Sequence, residues 1–411
     1  MTFWQDARPL APRPSVRRRS RARGRRAGRM LVVAVVVLAA LGLSLGTFDA
    51  AGSVAHRART PTIDRTAHHR GVAVRWTTSL PDFPREVLAD VGALFVLGDG
   101  HVTALAPEDG RVRWQVAPGW LAWSGGLRGD TLMVALEDGF VALDRATGAQ
   151  RWRADAPGQA AAATLVAPPD GPPIAVVTTL DGGVAGLDDR TGETRWSARV
   201  PGRPTQVLAA DDSSGSVALV SQHPETLRVL DARTGALRWE QALAPWVGAP
   251  VVGAGLVIVG AGEDARHGTI HAYDLASGAP RWQTAMDGAF QPDLQPAVDG
   301  EDLFALDQYG DVTRIDVATG TLRWQTHLAR QEVIARPTPM GDVVLVPAEP
   351  DEVVTLDRAT GAIRARRRAA GVPMRLTAVS ELVVLTQRLA PGREVEAYSA
   401  RALRAPARSG R

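Results

Sequence analysis

One phrase recurs along this chain at nearly constant spacing: an apolar residue, Asp, two variable positions, Thr-Gly or Ser-Gly, and then Arg-Trp. Full copies run from Leu143-Asp144 to Arg151-Trp152, Leu187-Asp188 to Arg195-Trp196, Leu230-Asp231 to Arg238-Trp239, Tyr273-Asp274 to Arg281-Trp282, and Ile315-Asp316 to Arg323-Trp324. A looser copy ends at Arg113-Trp114, and a later one keeps Leu356-Asp357 and Thr360-Gly361 but has Ala365 in place of Trp. An eroded last copy reads Ala397-Tyr398-Ser399-Ala400. Counted from Trp76 through Trp114, Trp152, Trp196, Trp239, Trp282 and Trp324 to Ala365, the intervals are 38, 38, 44, 43, 43, 42 and 41 residues. A unit this short cannot bury its own apolar surface, so the copies must stack on one another.

The period is that of a four-stranded propeller blade. Within a copy, short β-branched runs such as Leu256-Val257-Ile258-Val259 and Thr269-Ile270-His271-Ala272-Tyr273 are bounded by Gly and Asp, which signals strands. The 41 Gly and 28 Pro supply the turns that so many strands need. In the repeated phrase Asp is suited to accept backbone N–H bonds in a tight turn and Gly to take positive φ. Trp is a plate for packing between blades. The Arg before it, on the opposite face of the strand, is expected to meet solvent. The motif therefore builds a fold and does not catalyse.

This phrase resembles the pyrroloquinoline-quinone-like propeller repeat over residues 71–407. The resemblance implies an all-β, eight-bladed propeller in which Trp76 supplies the outer strand of the last blade and so closes the ring. The family includes quinone-dependent dehydrogenases and non-catalytic members such as a barrel-assembly lipoprotein, and the fold does not choose between them. The alcohol-oxidising members resemble one another in an adjacent-cysteine disulfide over the cofactor, a bound calcium or similar ion and a catalytic Asp. This chain has no Cys, which excludes that disulfide, thiolate metal sites and a lipid-modified cysteine, and no repeat exceeds 44 residues. No cofactor, metal or catalytic residue is therefore assigned.

Charge is unevenly divided. Residues 1–30 carry ten Arg against Asp6, a net +9, whereas the remainder carries 37 basic against 43 acidic groups, a net −6. All 47 basic residues are Arg, which removes lysine Schiff-base chemistry and resembles the coding bias of a high-GC bacterium. Residues 30–48 follow without a charge and would span about 28 Å as a helix, close to a bilayer core of about 30 Å. Arg-rich flanks stay cytoplasmic. The organisation expected is a basic cytoplasmic head at 1–29, a single transmembrane helix at 30–48, a linker at 49–70 and an extracytoplasmic propeller at 71–407. A signal peptide cleaved near Ser53-Val54-Ala55 is the alternative. Beside a membrane span the Arg cluster reads as orientation and lipid attraction, not nucleic-acid binding.

Departures from the repeat mark candidate function. Trp120, Trp123, Trp246 and Phe290 fall between the outer strand of one blade and the inner strand of the next. Acidic turns, among them Asp99, Asp138, Asp181, Asp307 and Glu352, are expected on the same face as these crossovers. An acidic rim with aromatic patches suits a protein or peptide partner; solvated turns and inter-blade packing are the other reading. Arg364, Arg366, Arg367 and Arg368 are expected to form an exposed basic edge. His267 and His271 are close enough in sequence for a ligand pair, but no repeat-wide pattern supports one. The function expected is a membrane-anchored, non-enzymatic scaffold or ligand-sensing module. The alternatives are a quinoprotein oxidoreductase with the quinone in the central funnel and a wall-polysaccharide binder using Trp120, Trp123 and Trp246.

Overall fold

The computed structural model describes residues 74–404 except 91, 265–266, 287–295, 308, 329–335, 349–351, 369–372, 380 and 388–392, with backbone alone at 122–124, 206, 373–374 and 387. The expected head, span and linker lie outside the described residues. Among those described, no helix is long and apolar enough to cross a membrane.

Eight antiparallel sheets follow one another along the described chain. In blade one the strands Glu86–Asp90, Ala93–Leu97, Val102–Leu105 and Val112–Val116 pair in chain order. Blades two to seven repeat this plan over 121–155, 160–199, 203–242, 246–286, 297–327 and 338–368. In blade five the first strand is split into Trp246–Val247 and Val251–Gly253, both paired with Leu256–Gly262. Blade eight joins Pro373–Val379, Leu382–Gln387 and Glu394–Ser399 to Val74–Ser79 from the front of the propeller, with Thr78 opposite Val395. The expected closure through Trp76 is therefore present. First strands of successive blades touch all the way round, blade eight against blade one included, so they line the axis.

The second strands Ala93–Leu97, Thr131–Leu136 and Val343–Ala348 are buried at every position. Each lies inside its blade with a neighbouring blade on either face, which is why they read as continuous apolar runs and not as alternating ones. The core is correspondingly a ring of eight clusters, one at each junction. Between blades six and seven, for example, Phe304, Leu306, Val312 and Trp324 meet Val344, Val346, Val354 and Leu356.

Every repeat Trp latches its blade to the next one. The indole N–H donates to the carbonyl that follows the turn Asp position of the neighbouring blade: Trp76 to Pro107 (2.8 Å), Trp114 to Arg145 (3.0 Å), Trp152 to Asp189 (2.7 Å), Trp196 to Ala232 (2.9 Å), Trp239 to Leu275 (2.9 Å), Trp282 to Val317 (2.7 Å) and Trp324 to Arg358 (2.9 Å). The turn Gly makes this approach possible. At Gly192 φ is 74°, and a Cβ there would stand 2.6 Å from the Trp152 ring. At Gly235 the corresponding values are 72° and 2.3 Å from Trp196, so only glycine serves both demands.

The turn Asp behaves as its chemistry requires. Asp144 Oδ1 accepts the N–H of Ala146 and Thr147 at 3.1 and 3.0 Å and the Thr147 hydroxyl at 2.8 Å. The repeated Arg is exposed, as expected, and also folds back onto the Asp seven residues earlier: Arg151 reaches Asp144 Oδ2 at 2.6 Å, Arg238 reaches Asp231 at 2.8 Å and Arg323 reaches Asp316 at 2.6 Å. The turn brings the two strand ends together, so a long side chain on the outer strand finds the free carboxylate oxygen within reach. These hydrogen bonds from Arg, and those from Thr, hold Asp144, Asp316 and Asp357 at about 2.

The junction of blades seven and eight lacks Trp and is built differently. A short helix, α1 (Ala400–Arg404), stands where other blades make the Asp-Thr-Gly turn. Its Leu403 is buried with Met340, Val353 and Tyr398, beside the blade that carries Ala365. The Leu403 carbonyl accepts Arg367 Nη1 at 3.1 Å and the Thr355 hydroxyl at 3.2 Å. A guanidinium thus replaces the indole as the cross-blade donor. The expected basic edge holds in part: Arg366 and Arg368 are exposed, whereas Arg367 is buried; Arg364 is half-buried and pairs with Asp357 and Asp342, and Arg366 pairs with Glu352. The outer strand faces a neighbouring blade on one side, and the third strand of its own blade, with Asp342 from the turn between the first two strands, supplies the carboxylates.

Two outcomes follow from this construction. Trp152→Ala removes a buried indole and its bond, and is expected to cost about 3–5 kcal/mol in denaturant unfolding, whereas an exposed control should stay within about 0.5 kcal/mol. The turn aspartates ionise below their unfolded value of about 3.9, so their stabilisation is complete above that pH and is lost as pH falls toward about 2. Melting temperatures recorded from pH 6 to 2 should hold at first and then fall, with a shallower fall in Arg151→Gln.

Candidate functional site on the axis and the crossover face

A four-stranded blade has two ends. The turns between second and third strands share one end with the crossovers to the next blade, and the Asp-Thr-Gly turns occupy the other. Main-chain bonds tie the first set together: Leu121 N–H to the Asp99 carbonyl at 2.8 Å, Glu137 N–H to Trp120 at 2.9 Å and Leu243 N–H to Glu225 at 3.0 Å. The acidic turns therefore share the crossover face, as expected.

They are less acidic in effect than their sequence implies. Arg85 pairs with Asp99, and Asp138 and Asp181 receive Arg153 and Arg199 at 2.8 Å each. Asp307 is fully buried and is a turn former: its Oδ1 accepts the N–H groups of Tyr309 and Asp311 at 2.9 Å each. Glu349 and Asp351 lie outside the described residues.

Of the four aromatic candidates, Trp120 sits in the crossover into blade two with 67% of its surface exposed. Trp246 opens the split first strand of blade five and is 40% exposed. Trp123 lies within the first strand of blade two and not in a crossover, with only its backbone described; Phe290 lies outside the described residues. Blades two and five are three steps apart in a ring of eight, so Trp120 and Trp246 share a face but not one contiguous patch. Sequence spacing finds such residues but carries no information about their separation round the axis.

The histidines do not assemble into a ligand set. His271 stacks on Tyr273 with ring centroids 6.2 Å apart, and burial lowers its pKa. His267 pairs with Asp264 at 3.0 Å. Among the described residues no group of three or more His, Asp or Glu is placed to hold a metal ion.

On the axis lies a feature that the repeat pattern does not reveal. The first strands of blades one, six, seven and eight enclose a cavity of about 350 Å³ whose charged lining is Glu86, Arg336 and Arg375. Glu86 and Arg375 approach to 3.6 Å, an ion pair too long for a hydrogen bond. Glu86 Oε2 is enclosed without a hydrogen-bond partner. Burial pushes the Glu86 carboxyl up, while Arg375, the Gly125 N–H and Arg336 pull against it. The Arg336 side chain stands exposed at the mouth of this cavity. The one signal available in sequence is a charge within an inner-strand segment, where blade three has Ala160 to Ala163.

Comparison with known proteins agrees with this architecture. Residues 98–245, 181–331 and 266–399 match in overlapping stretches the family model described as outer membrane protein assembly factor BamB. No curated protein matches the sequence. Among solved structures, BamB from Moraxella catarrhalis is similar at a TM-score of 0.64 and 18% identity, over 80% of this chain and 99% of that one. The computationally designed Ika8 protein aligns at a TM-score of 0.64 and 14% identity, over 79% and 99%. Quinohemoprotein alcohol dehydrogenase from Comamonas testosteroni aligns at 0.60 and 12% identity, over 83% and 78%. At these identities the structural likenesses show the fold.

Because Trp120 and Trp246 take no part in the latches, Trp120→Ala and Trp246→Ala should each shift the unfolding free energy by less than about 0.5 kcal/mol, measured by denaturant titration beside Trp152→Ala. A loss as large as that of the latch residue would make them packing residues.

Proposed function

We propose that this chain, which belongs to the pyrroloquinoline-quinone-like propeller family described as outer membrane protein assembly factor BamB, is a non-enzymatic scaffold held at the cell membrane by residues 30–48. Its propeller lies outside the cytoplasm and binds a protein or peptide partner through the crossover face. The observation that carries this reading is Trp120: a large amphipathic side chain left 67% exposed in a molecule whose repeat Trp side chains are engaged in latches. Exposed aromatic anchors of this kind dominate the energetics of protein interfaces. Paired turn carboxylates around it form a polar rim that excludes little and repels little. Kinship with an assembly factor is consistent with a role in holding other chains. With no cysteine to carry lipid, the apolar run at 30–48 takes over the task of attachment.

A quinone centre of the alcohol-dehydrogenase kind does not fit the residues present. The adjacent cysteines that would cover the cofactor are impossible here, and the described residues offer no cluster for the accompanying metal. No catalytic step is derived through it.

In spheroplasts of cells making the full-length chain, protease added outside should digest the propeller while leaving the head. A photo-crosslinker at position 120 should then give a discrete protein adduct that the same probe at Val112, on the turn face, does not give. Protection of the propeller from external protease, or the same products from both positions, would reject the reading.

A further inference from the structure

Two exposed aromatic side chains stand at one turn of the crossover face. Trp120 ends the crossover from blade one into blade two, and Phe83, 45% exposed, sits in the crossover from blade eight into blade one. Both crossovers rest on the turn that joins the second and third strands of blade one. The Asp82 carboxylate accepts the N–H of Gly100 at 2.6 Å and of His101 at 3.0 Å, and the Arg85 N–H donates to the Leu97 carbonyl at 2.7 Å. On the other side the Leu121 N–H donates to the Asp99 carbonyl at 2.8 Å. A Cβ at Gly98 would overlap the Asp82 carboxylate, so the first crossover is seated directly against that turn. Phe83 and Trp120 are thereby fixed on its two flanks, and neither takes part in a latch or in a junction cluster. Single exposed apolar side chains are ordinary, but two on one hydrogen-bonded support form a surface.

The charge around them has a sign. Arg85 pairs with Asp99 and Arg153 with Asp138, while Arg393, whose guanidinium reaches the Pro81 carbonyl, is followed by Glu394. Those charges cancel. Among the described residues Asp82 meets main-chain N–H groups and the His101 ring but no guanidinium, and no ion pair engages Glu137 or Asp155, both of which are exposed. The Glu137 N–H donates to the Trp120 carbonyl at 2.9 Å, and the N–H of Ala156, next to Asp155, donates to the Asp138 carbonyl at 3.0 Å. Three carboxylates are left over beside two aromatic rings. We propose that Phe83 and Trp120 together hold a basic peptide segment of the partner, whose apolar side chains pack on the two rings and whose Arg or Lys side chains meet Asp82, Glu137 and Asp155; this rests on the reading of the crossover face as a protein-binding surface. The rings serve cations as well, since the face of an indole attracts a guanidinium or ammonium group. The support between them is hydrogen-bonded before the partner arrives, so binding orders little that was free. The excess of negative charge selects against an anionic wall polymer and against an anionic lipid surface, for which exposed aromatics alone would also serve.

The test is selection of a random peptide library displayed on phage against the full-length chain in detergent, followed by fluorescence-polarisation titration of the enriched peptides after synthesis. Enriched peptides are expected to combine aromatic or aliphatic residues with Arg or Lys and to carry net positive charge. Phe83→Ala and Trp120→Ala should each weaken their binding at least about tenfold, as loss of an interface anchor does. Glu137→Gln combined with Asp155→Asn should weaken it about threefold and flatten its dependence on salt. Leu322→Ala, exposed on the turn face, should leave it unchanged. Neutral or acidic enriched peptides, no enrichment over the Phe83→Ala/Trp120→Ala double variant, or full affinity in either single variant would overturn the proposal. The crosslink at position 120 separates it from the scaffold itself: a discrete protein adduct that forms equally in Phe83→Ala and in the carboxylate variant keeps the scaffold and removes the basic segment. An adduct of two copies of this chain, or one whose added mass resists protease as a wall glycan would, removes it too.

Discussion

The ring depends on one contact made again at each junction, the indole N–H of one blade donated to a carbonyl in the turn of the next. A four-stranded blade is too thin to bury itself, and a closed ring has no edge at which to stop stacking. What it needs is a register between neighbours. The latch provides it, because a bond of 2.7 Å from Trp152 to the Asp189 carbonyl fixes both the distance and the rotation of blade three against blade two. Gly192 beneath the ring leaves no room for sliding, since any side chain there would collide with Trp152. Where the indole is missing, at Ala365, the contact is rebuilt from Arg367 and α1 and not abandoned, and the same carbonyl-acceptor geometry reappears at Leu403.

Charge follows the same economy. The turn carboxylate is occupied on both oxygens, by its own backbone on one side and by the Arg seven residues later on the other. Pairs this exposed contribute little individually, but each holds closed the turn that receives a latch. The acidic rim is quieted in a similar way by Arg153 and Arg199. Against that background the axis and the exposed Trp120 stand out, because neither is needed to keep the ring together.

Much of this was legible in sequence because it is periodic. The spacing of Trp76 to Trp324 read directly as blades, and the lack of a last Trp read as closure by the first strand, which the pairing of Val74–Ser79 with Glu394–Ser399 bears out. The Arg of the phrase is exposed, as strand alternation predicts, but alternation does not show that the turn returns its carboxylate to that side. The cavity was illegible for a different reason. Glu86, Arg336 and Arg375 come from opposite ends of the chain and meet only because the ring closes, so no local spacing announces them. Trp120 and Trp246 were visible as departures from the repeat, yet their distance round the ring is a property of blade number and not of any motif.

The latch also determines where function can be added. On the turn face, a change of length or of side chain in the Asp-Thr-Gly segment disturbs a neighbour through Trp, as the contact of Gly235 with Trp196 makes plain. On the crossover face the constraint is only that one blade be joined to the next, and lengthening such a loop costs little, about 0.6 kcal/mol for each doubling. A split first strand beginning at Trp246 and an exposed Trp120 lie there, while the turn phrase keeps its length. A chain built this way can acquire binding surface at its crossovers without losing a single latch, and that freedom is the physical reason for placing partner recognition on the crossover face and not on the turns.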